Sequence, residues 1–137
     1  MNTRYAMLRA SIVNLAAAPE MQVAYLYRSF ATLTGGHSAR RYGNNELVLE
    51  FDDIFPAAEH MLEYEEITPS EIDSIKPLDR LIEQLCDEAD ETFWKREALF
   101  DDVRWQQLRS CASEALSALP DEQRESDYTR GLTSNGR

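Results

Sequence analysis

The chain has 137 residues, the size of a single domain, with 43% apolar and 28% charged residues. Such a composition excludes collagen, a coiled-coil rod, a disulfide scaffold and a wholly disordered chain. Its 25 acidic and 14 basic side chains give a net charge of −11. That field repels phosphate, so direct binding to nucleic acid or to an anionic membrane is not expected, and a basic partner is. The charge is segregated. Residues 45–102 hold nineteen of the acids, whereas residues 1–44 hold only Glu20 against five arginines.

Helical spacing begins at once. Tyr5, Leu8, Ile12, Leu15 and Ala16 share one face of a helix over 3–17, which must end before Pro19. Pro19 suits the first position of a second helix, with a stripe of Val23, Leu26, Tyr27 and Phe30 and a stop at Gly35-Gly36. Residues 34–45, TGGHSARRYGNN, read as a polar connector. The stretch from Glu46 to Asp53 fits a strand by alternation of Leu47, Leu49 and Phe51. It also fits a helix that continues through Ile54, Phe55 and Ala58 to Met61 and Leu62. Helix is preferred, because no second strand offers pairing and an unpaired strand leaves its backbone groups unsatisfied. Pro56 then belongs to a first turn, with Asp52 or Asp53 as the cap of a helix reaching about Tyr64.

Thr68-Pro69-Ser70-Glu71 is a capping box with proline at the first helical position. Ile72, Ile75, Leu78, Ile82 and Leu85 follow at helical steps, and Pro77 predicts a kink or break among them. Residues 87–91, DEADE, separate this helix from a short one bearing Phe93, Trp94, Ala98 and Leu99. Asp101 or Asp102 caps the last helix, whose stripe is Trp105, Leu108, Ala112, Ala115, Leu116 and Leu119, ended by Pro120. Residues 120–137 read as a polar tail on a domain of residues 1–119.

No stretch reaches the roughly 18 apolar residues of a membrane span. Arg4 and Arg9 precede only a short apolar run, interrupted by Asn14, so no export signal is read there. Cys86 and Cys111 fall within helical patterns and read as small core residues in a reducing cytoplasm. The chain has no glycine-rich phosphate loop, GxSxG elbow, HExxH or CxxC. Glu59, His60 and Glu63 lie within one turn and could touch a metal, but acids around an exposed histidine are commonplace, and no metal is expected. His37-Ser38 beside Arg40 and Arg41 lacks anything to orient the imidazole. The pairs Asp52/Asp53 and Glu65/Glu66 could do acid–base work only if burial set their pKa values apart. No catalytic residue and no cofactor is therefore expected.

The order of an N-terminal helix pair, ELVLEFDDIF, a leucine-rich helix with Leu78-Asp79, a Phe93-Trp94 turn and Arg104-Trp105 followed by Ala112, Ala115 and Leu116 resembles a family of small acidic bacterial proteins. Some of these sit beside polymorphic toxins, including those of contact-dependent growth inhibition, and are treated as immunity proteins. The resemblance spans residues 5–119, with Phe51-Asp52-Asp53 its most distinctive part, and it carries over no catalytic residues. The expectation is thus an all-α protein, a compact orthogonal bundle of five or six helices. Its expected role is non-enzymatic binding of a basic protein such as a toxin nuclease domain. A structural or adaptor helical module is the alternative. Glu63, Glu65, Glu66, Asp52 and Asp53 are the candidate contact residues. Glu63, Glu65 and Glu66 are singled out because carboxylates at a helix C-terminus oppose the macrodipole.

Overall fold

A computed structural model describes residues 3–34 and 43–122, and of residues 29–34 the backbone only. Helix α1 spans Arg4–Ala16, with the Thr3 hydroxyl accepting from the Ala6 amide at 3.1 Å as its N-cap. Its other end is closed by a side chain. The Gln22 amide nitrogen, fully buried, donates to the carbonyls of Asn14 and Leu15, both at 3.1 Å. These would otherwise be unpaired groups of the last turn. Helix α2, Pro19–Thr34, opens on its proline as expected. Leu26 is buried and Val23 half-buried, but Tyr27 is 39% exposed, with the Arg96 guanidinium 5.1 Å from its ring centroid. The Phe30 side chain and Gly35-Gly36 lie outside the described residues.

The ambiguous stretch is helical. Helix α3 runs Asn45–Ile54, a single 3-10 turn covers Phe55–Ala57, and α4 runs Ala58–Glu63. The helix starts seven residues before Asp52, so neither Asp52 nor Asp53 is its cap; both lie in the last turn of α3. The 3-10 turn sits where Pro56 has no N–H to give and where its ring would meet the carbonyl four residues back. Leu47, Phe51, Ala58 and Met61 face the core, and Leu62 does not.

Helix α5, Pro69–Asp87, carries the reciprocal capping box. The Glu71 amide donates to the Thr68 hydroxyl at 3.1 Å, and the Thr68 amide donates to the Glu71 carboxylate at 2.9 Å. The helix passes through Pro77 without a break. A 3-10 turn, Glu91–Trp94, and a single helical turn α6, Ala98–Asp101, lead to α7, Val103–Ser117. Of the two possible caps for α7 it is Asp102 that serves, accepting from the Arg104 amide at 2.9 Å.

Trp105 is the largest fully buried side chain. Its ring stacks on Phe93 at 4.7 Å and 7°, and its indole N–H donates to the Phe93 carbonyl at 2.8 Å. Trp94 meets both rings edge-on. The most extensive helix contacts join α1 to α7, α7 to α5 and α1 to α3, so the first and last described helices line the centre of the core. The described residues contain no strand, and the fold is all-α. No described helix is long and apolar enough to cross a membrane. Cys111 is half-buried and Cys86 exposed, so the second is no core residue; both are free thiols.

Candidate protein-binding surface

Helical spacing decides which carboxylates meet. On α5, Asp79, Glu83 and Asp87 recur every fourth residue and form one ridge. On α3, Asp52 is half-buried and lies close enough to Asp79 and Glu83 of that ridge to feel their charge. Burial, then the charges of Asp79, Asp53 and Glu83, raise its proton affinity above that of an ordinary aspartate. Cys86 is exposed as a residue, but partial shielding of its thiol, together with the charges of Asp52 and Asp87, pushes its pKa up and leaves it a poor thiolate. Glu46, on the other flank of α3, is likewise raised by burial and by Glu50 and Asp53. Glu50 accepts a hydrogen bond from the Tyr25 hydroxyl. Like charges four residues apart destabilise a helix by a few tenths of a kcal/mol per pair. Helix α5 accepts that repulsion along the Asp79–Glu83–Asp87 ridge, and α3 accepts it between Glu46 and Glu50 on its other flank.

The second group of candidates separates. Glu63, the last residue of α4, is exposed, its carboxylate 3.9 Å from Nε2 of His60. Glu65 is exposed and left-handed, with φ 60°. Glu66, by contrast, is only 2% exposed. Its carboxylate receives Nε of Arg4 at 3.2 Å and is also paired with Nη2. That pairing raises the already high pKa of the guanidinium further. Glu66 is therefore a structural anchor between α1 and the α4–α5 connection, and its placement as a surface contact is corrected. Reversing Glu63, Glu65 and Glu66 together would strand Arg4 against a cation, so that combination is expected to destabilise the fold as well as alter the surface.

Further interactions here have no sequence signal. Arg104 gathers Glu88 at 2.8 Å, Asp90 at 3.0 Å and Asp102 at 2.6 Å, with its guanidinium 5.0 Å from the Phe93 ring centroid. Hydrogen bonds from Thr92 and Arg104 hold the Asp90 carboxyl low, and those from Arg104 do the same for Asp102. Asn44, fully buried, donates to the carbonyls of Phe93 at 3.4 Å and Lys95 at 2.6 Å. Gly43 lies so close to this turn that a Cβ would stand 2.7 Å from the Trp94 carbonyl. Arg109 donates to the Gln22 side chain at 3.0 Å. Only Asp102, two residues from Arg104, was near enough in sequence to be suspected.

No group of three or more His, Cys, Asp or Glu side chains among the described residues is arranged to hold a metal ion. His37, Ser38, Arg40 and Arg41 lie outside the described residues, as does the tail beyond Glu122. No protein-family model matches the chain, and neither a curated protein nor a solved structure is similar to it.

Proposed function

We propose that this chain is a non-enzymatic binding protein that docks a basic protein partner on the acidic face of α3 and α5, in the way an immunity protein covers a toxin's phosphate-seeking site. The observation that carries the reading is Asp52, whose charge is disfavoured first by partial burial and then by the carboxylates of Asp79, Asp53 and Glu83 on α5 and α3. This arrangement costs the free protein stability and is relieved by an incoming cation. An acidic face of this kind also steers a basic partner and speeds association, an effect that salt removes. The test is capture of partners from the native host on the tagged chain, followed by association kinetics. Asp53→Lys, Asp79→Lys and Glu83→Lys together should slow association at least tenfold at low ionic strength, with the difference shrinking as salt is added. A wild-type rate in low salt would remove this face from the interface.

One observation favours the adaptor reading. Phe100 and Val103 are 49% and 60% exposed, beside a shallow depression lined by Thr92, Lys95, Ala98 and Asp101. Partner binding that is indifferent to salt but lost in Phe100→Ser would select an apolar docking module instead.

A further inference from the structure

The Arg4 node holds a histidine in a defined state. Glu66 takes Nε and Nη2 of Arg4, which leaves Nη1 directed at Nδ1 of His60 at 2.7 Å. A guanidinium donates and never accepts. Nδ1 must therefore offer a lone pair, and the single proton of the neutral ring lies on Nε2. On that side stands Glu63, with its carboxylate 3.9 Å away. The Tyr64 ring meets His60 edge-on at 5.1 Å and lies 5.7 Å from the Arg4 guanidinium.

We propose that His60 is a two-position, proton-operated tether of α1: neutral, it accepts from Arg4; charged, it leaves Arg4 and pairs with Glu63. Protonation puts an N–H on Nδ1, so donor faces donor and cation faces cation. The imidazole is more than half exposed, so once the Arg4 hydrogen bond is lost solvent surrounds much of the ring. The groups around it are Arg4 on α1, with Glu66 paired to it, Tyr64 just beyond α4, and Glu63 on its own helix; Glu59, the preceding residue, projects from another side of the helix. Glu66 is committed to Arg4, so Glu63, three residues on, is the acceptor the turned ring reaches. The Arg4–Glu66 pair survives the exchange, and α1 loses one of its holds when the imidazole takes up a proton.

Nitrogen NMR of the imidazole in the full chain tests this, with His37→Gln separating the two histidines. At alkaline pH the His60 proton should reside on Nε2. Arg4→Lys still gives Glu66 a cation but offers one ammonium in place of three separate nitrogens. It should lose the tautomer preference and raise the His60 titration midpoint. Glu63→Gln should lower the midpoint, because the charged position loses its acceptor. The exchange of the Met7 and Leu8 amides should quicken severalfold as wild-type His60 is protonated. A neutral His60 with its proton on Nδ1 overturns the proposal. So does a midpoint that neither substitution moves, or one that Arg4→Lys alone moves, since the second position would then be absent.

Discussion

Two residues adopt the left-handed backbone that usually falls to glycine: Glu65 at φ 60° and Ala89 at φ 52°. Glu65 closes α4 in a Schellman arrangement. The Glu66 amide donates to the Met61 carbonyl at 2.8 Å, and the Glu65 amide to that of Leu62 at 3.2 Å. A side chain in this conformation costs roughly 1–2 kcal/mol, partly offset by the greater freedom glycine has when unfolded. Glu65→Gly and Ala89→Gly are each expected to raise stability by about 0.5–1 kcal/mol in urea unfolding. Glu65→Ala should bring no such gain. Asp52 yields a pH prediction. Its folded-state pKa lies above the unfolded value, so the ionised form weakens the fold at neutral pH, and stability returns as pH falls through the folded value. Asp52→Asn should therefore be more stable than wild type at pH 7, and the advantage should vanish in acid. Asp90 and Asp102 run the other way. Their support is present above the ordinary carboxyl range and is lost as pH falls through their lowered values. Urea midpoints of wild type and of Asp52→Asn followed from pH 7 down to about pH 2 separate the two effects, the first acting above the ordinary aspartate range and the second below it.

At the scale of elements, local chemistry was readable and distant chemistry was not. The capping box of α5 lies within four consecutive residues, and the stripes of α1, α5 and α7 repeat at helical steps, so these helices could be placed almost to the residue. Thr68→Ala should cost about 1 kcal/mol, measured by thermal unfolding. Trp105→Ala, which also leaves the Phe93 carbonyl only the longer hydrogen bond from Asn44, should cost about 3–5 kcal/mol in the same assay. The start of α3 was misplaced because Asn44 serves it without a side-chain cap: its amide is spent instead on carbonyls about fifty residues away. Glu66 was misread for the same reason, its partner lying 62 residues upstream. Of the acidic face, Asp52 and Asp53 could be named from their neighbourhood in the chain. Asp79 and Glu83 could not, because only the folded chain brings α5 carboxylates near Asp52.

For the whole molecule the dominant electrostatic term is self-repulsion, with a net charge of −11. Arg4 and Arg104 each bind carboxylates in close, partly buried contact, where screening is weaker. Moderate sodium chloride should therefore raise the melting temperature by quieting the exposed acids. A fall would show that the ion pairs outweigh the repulsion.

The widest contact in the protein joins α1 to α7, and it is locked by the Arg9 side chain on the Leu119 carbonyl at 3.1 Å and the Tyr5 hydroxyl on that of Pro120. During synthesis the first helix emerges from the ribosome a hundred residues ahead of the partner that covers it. Helix α3 can cover part of the face of Tyr5, Leu8, Ile12 and Leu15 earlier, but the largest share waits for α7, so the nascent chain stays open to chaperones until that helix clears the exit tunnel. A chain stalled at Asp102 should remain protease-sensitive from its first helix onward, and one released after Glu122 should become resistant in a single step.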